Sequence, residues 1–398
     1  MAIAEREVNL GPEVRGVRTM VHRFAEEMLR PVGRRLDALH DPARVIAPDS
    51  ELWQVFARYR ELGLDPLTLG STGLPPQEQS LLRCIVGEEL GWGDAGLAIS
   101  LEVSTLPRTL ALLSGRPELI DRFGGEDVIG CLALTEPDHG SDFIYYGFRA
   151  EQMPGKPNCV ARRDGDAFVI TGQKAAWVSN GTIATAAALF CAIDLGDGRM
   201  GTGQFLVSLE EVGVVRGRPL DKLGQRALNQ GEIFFDGVRV PASHLLAAPD
   251  IGAPEADIGL AVANTAMGST FVGVAQAAFD LALAYAQERV QGGLPIFRHQ
   301  SVRGRLFAMY RKIEAARALS RRAALQGATG LPDLRLAIAS KVTATQTAFE
   351  VASDALQIFG GNGLSRECPI EKLLRDARAS MIEDGCNEVL GLVASERL

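Results

Sequence analysis

Between residues 12 and about 126, apolar positions recur at three- and four-residue steps. Phe24, Met28 and Leu29 do so in HRFAEEMLRPVGRRLDAL, and Leu52, Val55, Phe56 and Tyr59 in ELWQVFARYRELGL. That spacing puts each set on one face of a helix. From about 129 to 245 the pattern changes to short runs rich in valine, isoleucine and phenylalanine: VIGCLALTE, DAFVITGQKAAWVSN, ATAAALFCAID, GQFLVSLE and GEIFFDGVRV. Asp164-Gly165 and Asp236-Gly237 read as turns between such strands. After Pro241 a stretch rich in Pro, Ala and Gly, LAAPDIGAPEADIG, reads as a linker. Helical spacing then returns in Val302, Leu306, Met309, Ile313 and Ala316, and in Ile338, Val342, Thr345, Phe349, Ala352 and Leu356. The order predicts an all-helical domain over 1–128, a compact β domain over 129–246 and a helical bundle over 247–398.

Composition narrows the class. A chain of 398 residues, 46% hydrophobic, buries more than one core and suits two or three domains. A net charge of -8 disfavours a partner made of phosphate backbone or anionic lipid. The six cysteines show no CxxC or metal spacing and the five histidines no HExxH pair, so free thiols and no metal are expected. The first residues lack a basic flank followed by an apolar run, and no segment is expected to reach membrane-spanning length without charge. Cytoplasm is the expected compartment, with no membrane insertion.

Candidate chemistry lies at the end of the chain. In RDARASMIEDGCNEVLGL the acidic pair Glu383 and Asp384 precedes Gly385, and a carboxylate on a glycine-loosened bend can swing into a pocket as a proton-abstracting base. Adjacent carboxylates also raise one another's pKa. In LTEPDHGSD (134–142), Thr135 offers a hydroxyl and Gly140 and Ser141 exposed N–H groups; His139 reads as a solvated loop residue. KAAWVSNG (174–181) ends a strand with Trp177 and Ser179, an indole that can stack on a flat ring or simply fill a core. ERVQGGLPIFRHQ (288–300) separates Arg289 from Gln300 by a Gly-Gly-Leu-Pro loop between two helices, and QIFGGNG (357–363) makes a glycine-rich helix end.

Taken together in this order, these four motifs and the acidic loop resemble the acyl-CoA dehydrogenase family of flavoenzymes over nearly the whole chain. The resemblance implies an α+β fold: an N-terminal helical domain, a central β-barrel-like domain and a C-terminal four-helix bundle. It implies FAD, with Thr135, Trp177 and Ser179 at the flavin, Ser141 at the CoA pantetheine or phosphate region, and Arg289, Gln300, Gln357, Gly360 and Gly361 at the FAD pyrophosphate and ribityl, the arginine and glutamine serving a neighbouring subunit. Cys386 and Glu388 fall at its cofactor-binding positions. A homotetramer or dimer, an acyl-CoA substrate and an electron-transfer flavoprotein as acceptor follow from the same resemblance.

It also places Asp384 where the family carries a glutamate base, with Glu383 the second choice, for α-proton removal as the β-hydrogen leaves as hydride to flavin N5. Aspartate is shorter by one carbon bond, about 1.5 Å. Cys386 replaces a threonine, Gly292 an aromatic residue, and Asn264 falls where many members carry an arginine; Ala263 cannot supply a base. Members with aspartate bases point to a bulky or cyclic acyl group. Glu102, in LEVSTLPRTLALL (101–113), walls the acyl pocket by analogy or is a buried capped glutamate. A nitroalkane-oxidase-like flavin oxidase and a carrier-protein-linked acyl dehydrogenase are the alternatives within this superfamily.

Overall fold

A computed structural model of the chain describes residues 10–147, 155, 157–196, 198–247 and 253–398. From Pro12 to Phe123 every regular element is helical. The helix Pro76–Gly93 is buried over all of its last ten residues, Cys84 to Gly93. Asp94 ends it and starts the next helix, Ala95–Ser104: its backbone is extended and its carboxylate accepts from the Leu97 N–H at 2.9 Å.

The central domain is one mixed sheet of eight strands: β1 (Gly130–Ala133), β2 (Val160–Asp164), β3 (Ala167–Ser179), β4 (Ala186–Gly196), β5 (Arg199–Ser208), β6 (Val214–Arg216), β7 (Gln230–Pro241) and β8 (Leu245–Ala247). They pair in the order β6-β7-β3-β2-β4-β5-β8, with β1 parallel to β4. Phe168, Ile170, Leu189, Phe205, Ile233 and Phe235 meet in one apolar cluster. One face of the sheet builds this core, while Ala186, Ala188 and Leu206 pack with Ala111, Leu119 and Phe123 of the N-terminal helices; where a barrel-like domain was expected, β6 and β8 stand at the two ends of the sheet, unpaired with each other among the described residues.

Asp164 and Gly165 do turn the chain between β2 and β3. Asp236-Gly237 does not. Ile170 pairs with Val238 and Gly172 with Phe235, so two residues of β7 face one of β3. This is a bulge inside a continuous strand, and Gly237 takes the positive φ of +63° that it needs.

Four helices make the bundle: Ala253–Glu288, Gln300–Gly327, Leu334–Phe359 and Ile370–Ser380. The first begins inside the stretch expected to be a linker. It also overturns the expectation about uncharged segments, because no charged residue occurs from Ile258 to Phe279. Its most apolar window is 67% buried. The cause is packing on both sides, against Leu334–Phe359 and against Pro76–Gly93. The second contact is close: a Cβ at Gly91 would lie 2.0 Å from the Thr270 carbonyl oxygen, and one at Gly273 1.9 Å from that of Glu88. Only glycine permits this crossing, which locks the N-terminal helices onto the bundle.

Candidate active site

Helix Ile370–Ser380 stops at a short loop, 381–386, before helix Asn387–Ser395. The loop reverses through two successive positive φ angles, +50° at Asp384 and +91° at Gly385. Aspartate is among the few side-chain-bearing residues that enter this region readily. The Asn387 N–H closes the loop on the Met381 carbonyl at 3.0 Å. Lys341, fully buried on the bundle helix Leu334–Phe359, donates to the Gly385 carbonyl at 2.8 Å and to Asn387 Oδ1 at 2.9 Å.

Three carboxyl groups gather here. Asp384 is exposed at the surface of the loop, yet the protein packed beside it removes enough water to raise its pKa above the usual carboxylate value, against the opposing pull of the Lys341 ammonium. The carboxylate is open to solvent on one side and crowded by protein on the other. Burial, together with the Asp384 charge, pushes Glu102 up to about 8. Glu383 is raised to about 7 by burial, opposed by its hydrogen bond from Gln225 and further raised by Asp384. Glu383 is thus the tethered member of the acidic pair: its Oε1 accepts from Gln225 Nε2 at 2.6 Å, whereas Asp384 has no hydrogen-bond partner among the described residues.

Gln225 belongs to a turn that the sequence did not single out. Its own φ is +50°, its N–H donates to Asp376 Oδ1, and its amide also donates to the Asp376 carbonyl at 3.3 Å. Asp376 shares the buried Lys372 ammonium with Asp94, the latter at 2.6 Å from Nζ. The base loop, the β domain and the N-terminal helices therefore meet around one polar knot. Nearby, Lys222 donates to the Leu228 carbonyl and to Gln230 Oε1, both at 2.7 Å. Gln230 Nε2 then reaches the Trp177 carbonyl at 3.1 Å and Ser179 Oγ at 3.2 Å.

Trp177 is 60% exposed, so its indole is not core filling. A large apolar ring left open beside a hydroxyl and an amide fits a flat, polar-edged cofactor ring. Thr135 follows β1, and its carbonyl accepts from the Ala175 N–H at 2.9 Å, which ties its turn to β3. Ser141 Oγ accepts from the Cys386 N–H at 3.1 Å, joining that turn to the base loop. The turn itself is held by a buried ion pair, Lys174 Nζ to Glu136 Oε1 at 2.7 Å. His139 corrects the expectation of a solvated residue: it is 6% exposed, its Nδ1 is 2.7 Å from Asp142 Oδ2 and its ring lies edge-on to Phe143. An imidazole with an aspartate partner and an aromatic neighbour is satisfied inside the protein.

A cavity of about 700 Å³ lies elsewhere in the bundle. It brings together Arg289, Gln357, Gly360 and Gly361, and adds Tyr285, His299, Arg305 and Asn362, which sequence reasoning missed. Gln300 does not line it; it is the exposed first residue of helix Gln300–Gly327. The presumed loop before it is a small hairpin, Val290–Gln291 with Leu294–Pro295, turned by Gly292 and Gly293 at φ +62° and +82°. Tyr285 and Phe359 stack at 4.1 Å, and a Cβ at Gly360 or Gly361 would meet nothing within 4 Å. The Arg289 side chain has no partner among the described residues. An open backbone, a free guanidinium and stacked rings suit a phosphate-bearing ligand.

The remaining expected residues are placed as follows. Cys386 caps helix Asn387–Ser395, and Glu388 is exposed in its first turn. Asn264 is fully buried, donates to the Leu260 carbonyl at 3.0 Å, and leaves its Oδ1 without a partner. Lys341 left a signal in the sequence: it falls three residues after Ile338 and four before Thr345, on the apolar stripe rather than off it.

Known proteins resemble this chain over nearly its whole length. Residues 131–238 match the acyl-CoA dehydrogenase middle domain and residues 252–398 the acyl-CoA dehydrogenase C-terminal domain. The chain is 32% identical over 384 residues to the mitochondrial short-chain specific acyl-CoA dehydrogenase of Rattus norvegicus, covering 94% of this chain and 87% of the relative. It is 30% identical over 395 residues to cyclohexane-1-carbonyl-CoA dehydrogenase of Geobacter metallireducens, covering 98% of each. The structure of butyryl-CoA dehydrogenase from Megasphaera elsdenii aligns with a TM-score of 0.84 at 27% identity, over 98% of this chain and 99% of that one. With both domains matched and relatives of at least 30% identity along almost its full length, the chain belongs to the acyl-CoA dehydrogenase family, oxidoreductases acting on CH–CH groups.

Proposed function

We propose that this protein is an FAD-dependent dehydrogenase that converts an acyl-CoA thioester to its 2,3-enoyl product, with Asp384 as the base that removes the α-proton. The observation that carries this reading is the state of Asp384: an exposed carboxylate, free of hydrogen-bond partners among the described residues, at a positive-φ turn, raised in proton affinity by desolvation and acted on by the charge of the buried Lys341, which bonds the next carbonyl. A base needs a proton affinity above that of a solvated carboxylate and lone pairs that are not already used. Glu383 has the affinity, but its oxygen is held by Gln225.

FAD, when bound, would accept the β-hydrogen as hydride. Trp177, Ser179 and Thr135 would hold its ring. Arg289, Gln357, Gly360 and Gly361 would hold the phosphate-bearing end. The cavity lined by Arg289 shares no residue with the base loop. That separation supports a cofactor completed by a neighbouring subunit, hence a homotetramer or dimer. An electron-transfer flavoprotein is the proposed acceptor, and Ser141, bonded to the base loop, would stand nearest the CoA arm.

Similarity to the short-chain and cyclohexane-1-carbonyl-CoA enzymes supports two acyl classes, short linear and cyclic. The shorter base requires the α-carbon to come nearer the loop, and a misplacement of about 1 Å costs roughly a hundredfold in rate. Anaerobic titration with butyryl-CoA and with cyclohexane-1-carbonyl-CoA, read by flavin absorbance, tests the reading. Bleaching by either thioester is expected. A yellow protein that neither thioester bleaches, but that releases hydrogen peroxide with a nitroalkane or bleaches only with an acyl carrier protein, would refute it.

A further inference from the structure

Building on the assignment of Asp384 as base, we propose that Lys341 is the positioning residue of that base: its buried ammonium anchors the carbonyl of Gly385, directly after the acid, and holds a positive charge against the acid's own carboxylate.

The clamp is geometric. Lys341 Nζ bonds Gly385 O and Asn387 Oδ1, one acceptor at the end of the loop and one in the first turn of the following helix. Asn387 is itself fixed, its Nδ2 donating to Thr345 Oγ1 at 3.1 Å, and that hydroxyl donates to the Lys341 carbonyl at 2.9 Å. Lysine, asparagine and threonine thus form a closed set between one turn of the bundle helix and the loop. Releasing the lysine frees the one side-chain bond to the Gly385 carbonyl, and Asp384 has no bond of its own to hold it in place.

The charge is the second part. Lys341 has no accessible surface and no carboxylate within ion-pair distance among the described residues; both of its acceptors are neutral oxygens. Burial therefore pulls its pKa down to about 8, and the charges that oppose this are Asp384 first, then Glu383, Cys386 and Glu388. A buried ammonium without a contacting counter-ion is costly wherever its only task is to fill space. Here its charge acts on Asp384, the carboxylate that must stay ionised for the reaction. Glu102, on the helix Ala95–Ser104 opposite, carries the opposite influence, being raised by the Asp384 charge.

The test is an infrared titration of the Asp384 carboxyl in the flavin-loaded protein without substrate, the band being identified by its loss in Asp384→Asn. In Lys341→Met the midpoint should climb by about one pH unit or more, a tenfold gain in proton affinity. Lys341→Gln keeps a donor for the Gly385 carbonyl while losing the charge, and is the variant to use if the methionine does not fold. It should show the same climb but bleach with thioester about tenfold faster than Lys341→Met at the pH where both carboxylates are ionised. A midpoint unmoved from wild type in the folded variants overturns the proposal. A shifted midpoint in a protein that no thioester bleaches would instead leave the lysine's role standing and remove the reaction assigned to the base.

Discussion

Lys174 and Lys341 both lie in this chain with no accessible surface, and their surroundings differ in one respect. Lys174, on β3, touches a carboxylate: Glu136 Oε1 at 2.7 Å, with the Leu134 carbonyl at 3.0 Å as a second acceptor. Glu136 spends its other capacity on the backbone N–H groups of Asn158 and Cys159, at 2.6 and 3.2 Å. Both Glu136 oxygens are engaged, and the result is a turn whose carboxylate is held in place. Lys341 touches only neutral oxygens and leaves its nearest acid unbonded. Complete pairing stabilises and also silences; a base has to be built from an incomplete set.

Two substitutions should separate these roles most sharply. Asp384→Asn removes the acceptor that faces Lys341 and should slow anaerobic flavin reduction by about 10²- to 10⁴-fold, the usual range for loss of a positioned base, with flavin content unchanged. Reduction at more than a tenth of the wild-type rate would move the base elsewhere. Lys174→Met should do the reverse. It leaves Glu136 charged and buried without its partner, and should cost about 3–5 kcal/mol of stability in urea unfolding, with the reduction rate per folded, flavin-bearing molecule within a few-fold of wild type. A stable Lys174→Met protein with impaired chemistry would collapse the distinction.

The difference between the two lysines was not legible beforehand, and the reason is physical. Burial of one face imposes a period on the sequence, so the helices, the β domain and the bundle stripe through Leu306, Met309 and Ile313 could be read from spacing alone. The bend at Asp384 was legible because Gly385 follows it. Side-chain pairing leaves no period. Lys341 lies on the apolar stripe of LAIASKVTATQTAF, which marks a buried position without naming its partners, and His139 read as solvated until Asp142 and Phe143 supplied partners. Asp236-Gly237 has the composition of a hairpin turn, and only the flanking pairs, Ile170 with Val238 and Gly172 with Phe235, show a bulge. Arg289 and Gln357 were found through the resemblance, while Tyr285, His299 and Arg305 in the same cavity carry no pattern that marks them.

Gln225 offers a finer cut through the incomplete set. Its amide holds Glu383 at 2.6 Å and so keeps the second acid of the pair occupied. Gln225→Ala should free Glu383, whose pKa is already raised to about 7 by burial, and lose about 1–3 kcal/mol through the unsatisfied partner. Rate measurement in the Gln225→Ala/Asp384→Asn double variant then asks whether a released Glu383 can replace the base. A rate no higher than that of Asp384→Asn alone supports position, not proton affinity, as what distinguishes the two acids.

The smallest effect should come from Glu102, and its sign is set by linkage. Burial first and the Asp384 charge second push its pKa from the ordinary 4.5 up to about 8 in the folded protein. Between those values the folded form holds the proton and the unfolded form does not, so the stabilisation lost by this group accumulates as pH rises from 4.5 through about 8. Glu102→Gln removes the titration, and its gain in stability should be near zero at about pH 5 and on the order of 1 kcal/mol at about pH 8.5, where partial accessibility limits it. Thermal melts at the two pH values measure this directly. Repeating them in Asp384→Asn should shrink the alkaline gain, because the charge that helps raise Glu102 is then gone. A gain equal at both pH values, or one untouched by Asp384→Asn, would show that Glu102 and the base do not share a recess, and that Asp384 faces Lys341 alone.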